Sequence, residues 1–218
     1  MKYKNKTIQI SCDGGAATGK STGAKMIAKK FKLKFLSSGL LYRYASYLII
    51  KNKPKNKIKF IRSKFKNLNY SKLKKINLHT QKISEYSATI AKINEVRKIL
   101  KTFQINFSKK YKNCCIEGRD ISTKILPGSD LKFFFVCNLN TAAMRRYKEL
   151  KKNEPSVKLI NVKKALRIRN ISDTKRKHSP LLRHRNSVEI DTGKLDKSAM
   201  MFKMSKYVKK VLKSKYAN

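Results

Sequence analysis

The stretch DGGAATGKST at residues 13–22 constrains the fold more than any other part of the chain. It contains the pattern G-x-x-x-x-G-K-S, with Gly14, Gly19, Lys20 and Ser21 in register, directly after the apolar run TIQISC. The residues that follow, KSTGAKMIAKKF, have the spacing of an amphipathic helix. A glycine loop between a strand and a helix directs backbone N–H groups at one point, where the helix dipole adds positive potential. The pattern therefore predicts a phosphate-binding loop.

Each residue type in such a loop has a physical role. We expect Lys20 to bridge the β- and γ-phosphates of a nucleotide and the Ser21 hydroxyl to ligate Mg²⁺. Gly14 and Gly19 supply backbone angles, or a close approach, that a Cβ would block. The predicted nucleotide-binding residues are consecutive: Gly14, Gly15, Ala16, Ala17, Thr18, Gly19, Lys20, Ser21 and Thr22.

The chain is strongly basic, with 55 Lys and Arg residues against 12 Asp and Glu residues in 218, and a formal net charge of +43. A polyanionic partner would explain this charge, because phosphates attract such a surface. Drift in composition would explain it as well, because Lys, Asn and Ile are abundant together, as an AT-rich genome would produce. Scattered lysines favour drift, whereas the arginines cluster in a few places, where we expect recognition chemistry.

Composition also bounds the class of protein. No run of about 18 apolar residues occurs, which argues against a membrane span, and the N-terminus does not resemble a signal peptide, so we expect a cytoplasmic protein. The four cysteines form no C-x-x-C pair and no histidine lies at ligand spacing, which disfavours zinc.

Strand and helix patterns alternate along the chain. The apolar, β-rich runs are typical of parallel strands buried on both faces; they lie at 7–12, 33–36, 113–117, 132–137 and 187–190. Helical patterns lie between and after them, at 19–31, 40–51, 79–108, 141–152, 162–170 and 196–215. This alternation predicts an α/β fold with a doubly wound parallel sheet flanked by helices. We expect the lysine-rich segment 52–77 to be poorly ordered or loosely helical, at the edge of an inserted lobe.

Six further segments appear in a fixed order after the loop: SSGLLYR (37–43), INEVR (93–97), IEGRDIST (116–123), MRRYKEL (144–150), RNISDTKRKHSPL (169–181) and EIDTGKL (189–195). In this order they resemble the bacterial cytidylate (CMP) kinase family of P-loop nucleoside monophosphate kinases, over nearly the whole chain except 52–77. The resemblance implies one kinase domain, 1–218, with a five-stranded parallel sheet. Its implied parts are a core at 1–50 and 113–218, an inserted NMP-binding lobe at 51–112 and a mobile lid at 145–180.

The resemblance also implies an acceptor site. Ser38, Arg97 and Asp120 would contact cytosine, whose amino group suits a carboxylate and whose ring acceptors suit a guanidinium. The implied phosphate ligands are Arg43, Arg119 and Arg176, and the implied sugar ligands are Asp173 and Arg169. The residues implied to neutralise the transferring phosphoryl group are Lys20, Arg119, Arg145, Arg146 and Arg176.

The chain departs from the family pattern at several of these positions. In the loop, Gly15 replaces a proline, which loosens the loop, and Ala17 replaces a usual glycine. Ser122 replaces the glycine that follows G-R-D-x. Before the lid, Ala142 lacks an arginine that the family often has, and in the lid-side motif Asn170 and Ser172 replace an Asp and an Arg.

The sequence thus predicts a monomeric enzyme that uses ATP and Mg²⁺ to phosphorylate CMP and dCMP in pyrimidine nucleotide metabolism, without a membrane or a specific nucleic acid as partner. A P-loop kinase for another small acceptor, such as UMP, is an alternative. A second alternative is a basic nucleic-acid-binding protein with a vestigial P-loop. The arginines argue against this last reading, because they fall at acceptor-site positions and form no stripe with interleaved aromatics.

Overall fold

The computed structural model describes residues 7–152 and 154–216, which form two compact units. The larger unit contains the described residues up to Leu36 and those from Tyr111 onward, and the smaller unit is Ser37–Lys110. Within the described residues, no helix is both long enough and apolar enough to cross a membrane.

A five-stranded parallel sheet forms the centre of the larger unit, as the alternation of strands and helices predicts. The strands are β1 (Gln9–Gly14), β2 (Lys34–Ser37), β3 (Cys114–Gly118), β4 (Leu131–Val136) and β5 (Val188–Asp191). Their order is β2-β3-β1-β4-β5, and β1 pairs in parallel with both β3 and β4. The strand before the glycine loop is therefore the central one, so the loop lies between the carboxyl ends of its two neighbours.

Eight α-helices accompany the strands in the described residues. They are α1 (Lys20–Lys30), α2 (Ser38–Asn52), α3 (Lys57–Lys66), α4 (Gln81–Ile90), α5 (Asn94–Lys110), α6 (Leu139–Lys151), α7 (Leu159–Lys175) and α8 (Lys197–Lys215). A short 3₁₀ helix lies at Tyr70–Lys75 and a π-helical turn at Ile121–Ile125.

The main core of the larger unit lies between the sheet and two helices. Phe133 and Phe135 of β4 are almost fully buried, and they belong to one apolar cluster with residues of β1, α1 and α8. From α8 the cluster takes residues spaced four apart, namely Met200, Met204, Val208 and Leu212. This spacing places one apolar stripe of α8 against the sheet, while lysines occupy much of the rest of the helix.

In the smaller unit, the structure differs from the sequence prediction in two places. Segment 52–77, which we expected to be poorly ordered or loosely helical, contains the regular helix α3. Asn56 caps α3 by accepting a hydrogen bond from the Lys59 N–H at 2.9 Å. Ile61 and Phe65, one turn apart, are buried, and the Phe65 ring lies 5.9 Å from Tyr44 and 6.0 Å from Phe103. Two apolar anchors among many lysines give too weak a periodicity to detect in the sequence.

The predicted helix at 79–108 is two helices, α4 and α5, separated by a turn at 91–93. In the turn, the N–H groups of Lys92 and Ile93 donate to carbonyls three residues earlier. Ile90 before the turn and Val96 after it are both buried. The apolar pattern therefore continues across the turn, which is why the sequence does not mark the break.

Gly23 of α1 tests the packing between the helix and the sheet. An added Cβ would lie 2.7 Å from Cε1 of Phe135 and 3.2 Å from Sδ of Met200. We expect Gly23→Ala to lower the free energy of unfolding by about 1–3 kcal/mol, because the buried ring must move. Urea denaturation followed by circular dichroism measures the change.

Gly39→Ala in α2 is the matched control, because its Cβ would meet nothing closer than 3.8 Å. This change should raise stability by roughly 0.5–1 kcal/mol, the usual gain for alanine over glycine in a helix. A Gly23→Ala protein as stable as the parent would contradict the close packing of Phe135 on α1.

Candidate functional site

The glycine loop has the backbone geometry that phosphate binding requires. Gly14 has a φ of 152°, and an added Cβ would lie 2.4 Å from the Phe135 carbonyl oxygen of β4. Gly19 has a φ of 75° and is the N-cap residue of α1, so no side chain at this position caps the first turn of the helix. The N–H groups that start a helix have no partner within it, so they are available to an anion.

Ala17 has a left-handed backbone conformation, with a φ of 56°. Ala17 replaces the usual glycine of the family pattern, and the phosphate cradle must tolerate the methyl group that it adds. In the structure the substitution acts on the backbone, because an L-residue other than glycine pays roughly 1–2 kcal/mol in this conformation. The glycine that is usual in the family would remove this strain.

Lys20 is buried at the start of α1 and forms an ion pair with Glu117 at the end of β3. Its Nζ lies 3.0 Å from Oε2 of Glu117, and both side chains are more than 90% buried. Burial lowers the pKa of Lys20, as do the charges of Arg119 and Arg169, whereas the carboxylate of Glu117 opposes this shift.

Arg145 of α6 lies beside the loop. It donates from Nη1 to Oγ1 of Thr192 at 2.8 Å and from Nη2 to the Thr192 carbonyl at 2.7 Å. The Thr192 hydroxyl in turn donates to the Thr18 carbonyl at 2.9 Å. Arg146, in contrast, forms an ion pair with Glu149 one turn along its own helix, at 3.1 Å. Of the two neighbouring arginines, the structure thus connects Arg145 to the loop.

Asp13, at the start of the loop, is fully buried and accepts three hydrogen bonds from the turn after β3. The donors are the Ile121 N–H at 2.8 Å, the Ser122 N–H at 2.7 Å and the Ser122 hydroxyl at 2.6 Å. Burial raises the pKa of the Asp13 carboxyl, although these hydrogen bonds act in the opposite direction. Because Ser122 stands where the family pattern has glycine, one of the three bonds is a consequence of this substitution.

Four of the predicted site residues meet around the carboxylate of Asp173 in α7. Arg119 donates from Nε at 2.9 Å and Arg176 from Nη1 at 3.1 Å, while Nε of Arg169 lies 4.0 Å away. Nη2 of Arg176 also lies 3.9 Å from Oδ1 of Asp120. Positions 169 and 173 are four apart, which places them on one face of α7, and Arg176 follows directly after the end of the helix with an extended backbone.

The charge balance of this cluster is set by its guanidinium groups. Burial opposes ionisation of Asp173, but the charges of Arg119, Arg169 and Arg176 together hold the pKa of the carboxyl below its usual range. The carboxylate thus orients arginines that would otherwise repel one another. Such a group of arginines is suited to bind a phosphate bidentately.

Asn170, on the same helix, contacts the phosphate loop directly. Its Oδ1 accepts a hydrogen bond from the Ala16 N–H at 3.2 Å. An added Cβ on Gly15 would lie 3.3 Å from the same oxygen. Two positions that depart from the family pattern, Gly15 and Asn170, therefore lie against each other.

In the smaller unit, the three predicted acceptor residues have the following surroundings. Ser38 is buried as the first residue of α2. Arg43 donates to the Leu78 carbonyl at 3.1 Å and lies 3.1 Å from Nδ1 of His79. Arg97 is buried, donates to the Ala91 carbonyl at 3.1 Å, and has its guanidinium 5.7 Å from the Tyr42 ring centroid. Their part in acceptor binding stays a prediction.

Sequence reasoning missed three residues that the structure brings to the loop: Glu117, Thr192 and Asn170. Glu117 carries a recognisable signal, since it is an acidic residue at the end of a strand that is otherwise apolar. Thr192 lies within the quoted segment EIDTGKL, but its hydroxyl gave no sign of a partner at Thr18. Asn170 was noticed only as a departure from the pattern.

Comparison with known proteins agrees with the order of these segments. A family model described as cytidylate kinase matches residues 10–210. A protein of Rickettsia felis named cytidylate kinase is 34% identical over 209 residues, which cover 95% of this chain and 94% of the relative. One of Bartonella tribocorum with the same name is 32% identical over 213 residues, covering 95% and 97%. A solved structure of an uncharacterized protein from Eubacterium ventriosum shares the fold, with a TM-score of 0.56, 16% identity and coverage of 94% and 99%.

Asp173→Asn tests the charge balance of the arginine cluster. Because the folded-state pKa of Asp173 is lowered, its stabilisation is complete above the unfolded-state value of about 4 and is lost as the pH falls through the folded-state value. We expect the substitution to cost on the order of 3 kcal/mol at pH 7. Urea titrations should show this cost shrinking toward pH 3.

Asp196→Asn serves as the control, because Asp196 caps α8 through the Ala199 N–H and asparagine caps equally well. Sulfate provides a second measurement: Asp173→Asn should gain more stability from added sulfate than the parent, because the three guanidinium groups lose the carboxylate of Asp173. If the difference between Asp173→Asn and the parent is independent of pH, the carboxylate does not balance the cluster.

Proposed function

Because the chain belongs to the cytidylate kinase family, we propose that it transfers the γ-phosphoryl group of ATP to CMP and dCMP. The chain is accordingly a nucleoside monophosphate kinase. The observation that carries the proposal is the meeting of Arg119 and Arg176 on Asp173 in the unit that also contains the phosphate loop. The loop would bind the phosphates of one nucleotide and the arginines would bind the phosphate of a second. This arrangement suits transfer of a phosphoryl group between the two.

The loop residues support ATP as the donor. The region from Gly14 to Thr22 offers backbone N–H groups at the start of α1, and Lys20 supplies a buried ammonium at the same place. We propose that the ATP phosphates replace Glu117 as the ion-pair partner of Lys20, because the phosphates and the Glu117 carboxylate are both anions. Arg145, held beside Gly19 through Thr192, would face the same phosphates.

The arginine cluster supports a phosphate acceptor. We propose that Arg119 and Arg176 bind the α-phosphate of CMP in the orientation that Asp173 gives them, and that Asp173 and Arg169 contact the sugar. Asp120 would accept a hydrogen bond from the cytosine amino group, which uracil lacks. We carry over Ser38, Arg43 and Arg97 as further CMP ligands from the family pattern.

The reaction requires no protein nucleophile. An oxygen of the CMP phosphate would attack the γ-phosphorus in line, and the bond to the β,γ-bridging oxygen would break, giving CDP and ADP. The residues of this chain position the two anions and reduce their repulsion, through Lys20, Arg119, Arg145, Arg146 and Arg176. Movement of the lid (145–180) and of the NMP-binding lobe (51–112) would exclude water from the transferring group.

Mg²⁺ fits the donor set at the loop. The Ser21 hydroxyl is at the position that ligates the ion in phosphate loops, and Glu117 is a carboxylate at the end of the adjacent strand. When bound, the ion would screen charge on the β- and γ-phosphate oxygens. A monomer in the cytoplasm, with no specific nucleic acid as partner, stays our prediction.

An acceptor panel tests the function. Coupled ADP release with Mg²⁺–ATP should be fast with CMP and dCMP and slow with UMP and AMP. Asp120→Asn should lower kcat/KM for CMP by at least about tenfold and leave the low value for UMP nearly unchanged, because only cytosine offers the amino group.

Each alternative gives a different result in this panel. A kinase for another acceptor would phosphorylate UMP, or it would phosphorylate neither CMP nor dCMP. Asp120→Asn would not alter its preference among the acceptors. A nucleic-acid-binding protein would turn over none of the four and would bind RNA with an affinity that falls steeply with salt. Absence of any phosphorylated acceptor would refute the proposed function.

Lys20→Met should abolish turnover, because no other ammonium lies in the loop to meet the phosphates. The same change leaves Glu117 buried without its cation, so we also expect a loss of about 3–5 kcal/mol in the free energy of unfolding. Steady-state kinetics and urea denaturation separate the two effects.

The double variant Lys20→Met/Glu117→Gln is the control for stability, because it removes both buried charges. It should recover most of the lost stability and remain inactive. Recovery of activity together with stability would show that Lys20 serves the fold and not the phosphoryl transfer.

A further inference from the structure

The contact between the phosphate loop and the lid helix α7 rests on residues that depart from the family pattern. Asn170 accepts the Ala16 N–H at 3.2 Å, and its Oδ1 would lie 3.3 Å from a Cβ on Gly15. A side chain or a proline ring at position 15 would therefore crowd the amide. The absence of a side chain at Gly15 leaves room for Asn170. Asn170 thus contacts the loop at the same position where glycine increases the flexibility of the loop.

Apolar contacts surround this hydrogen bond. A second apolar cluster of the larger unit joins the loop to both lid helices; its buried members are Ala16, Ala142, Ala143, Val162 and Leu166. Ala142, where the pattern has arginine, is 2% exposed within it. The loop and these helices thus meet through apolar side chains and one neutral amide. Three positions at this contact depart from the family pattern, namely Gly15, Ala142 and Asn170.

We propose that Asn170 is a positioning residue that holds the phosphate loop in its ATP-binding conformation from the lid side. The amide oxygen accepts the Ala16 N–H near the middle of the loop, and this bond adds to the one that the Thr192 hydroxyl donates to the Thr18 carbonyl. This support offsets the freedom that Gly15 introduces. The inference rests on the proposed function in so far as the bound ligand is ATP.

The identity of the side chain matters, because an amide and a carboxylate differ here only in charge. An aspartate, as in the pattern, would accept the same N–H but would place a negative charge beside the site for the ATP phosphates. In this chain the position is neutral, so it supports the loop without repelling the ligand. This difference separates a positioning role from a purely structural one.

The test compares Asn170→Ala, Asn170→Asp and the control Asn161→Ala in the full chain. Asn161 is an exposed residue of the same helix. Hydrogen exchange of the Ala16 amide in the absence of nucleotide, measured by NMR, reports the bond itself. Calorimetric titration with Mg²⁺–ATP reports its consequence for binding and does not depend on turnover.

Asn170→Ala should accelerate exchange of the Ala16 amide and weaken ATP binding, each by about three- to tenfold, which is the net value of one hydrogen bond. Asn170→Asp should keep the Ala16 amide protected and still weaken ATP binding. This loss of ATP affinity should change little between pH 5 and pH 8 and should become smaller with added salt. In steady-state assays, the KM for ATP should rise in both variants while kcat changes by less than about twofold.

Gly15→Pro supplies an independent readout. Because a proline ring at position 15 would crowd the Asn170 amide, Gly15→Pro alone should weaken the bond to the Ala16 N–H and accelerate exchange of that amide. Asn170→Ala should then add little to this effect in the Gly15→Pro background. Equal exchange rates and equal ATP affinities for Asn170→Ala and Asn161→Ala would overturn the proposal. If none of the acceptors in the panel is phosphorylated, the CMP kinase function is refuted. Hydrogen exchange of the Ala16 amide and the affinity for ATP would still test the role of Asn170.

Discussion

The buried ion pair between Lys20 and Glu117 is the interaction on which the arrangement of the larger unit depends. Lys20 at the start of α1 can meet a bound phosphate only if it lies beside the loop, where it is buried. An unpaired ammonium buried at this place would destabilise the fold. The parallel sheet resolves this cost, because β1 and β3 are neighbours and their carboxyl ends lie at the same edge. Glu117, near the carboxyl end of β3, can thus neutralise Lys20, which begins α1 after the loop that follows β1.

In the arginine cluster, a buried carboxylate likewise balances positive charge, here that of several guanidinium groups. Three guanidinium groups drawn from α7 and from the turn after β3 would repel one another, and the carboxylate of Asp173 holds them together. In both places an internal charge of opposite sign balances the buried charges. The site that we propose for two anions would in this way be stable before either anion is bound.

The sequence predicted the five strands to within two residues at each end, because buried parallel strands form short apolar runs that differ sharply from their surroundings. It was less successful in the smaller unit, where the turn at 91–93 continues the apolar pattern and α3 has few apolar residues. In the site, residue types with special chemistry, such as Lys20, Arg119 and Asp173, were predictable from their motifs. Glu117, Thr192 and Asn170 were not, because their partners lie far away in the chain.

The sequence by itself determined the α/β class, the phosphate loop and the family, because these depend on local patterns and on the order of motifs. Only the tertiary structure decided which charges pair, that Ala17 has a left-handed backbone, and that Gly15 and Asn170 meet. The pairings depend on distances between segments far apart in the chain, such as Ala16 and Asn170, which are 154 residues apart. A linear pattern contains no information on those distances until strand order and helix packing are fixed.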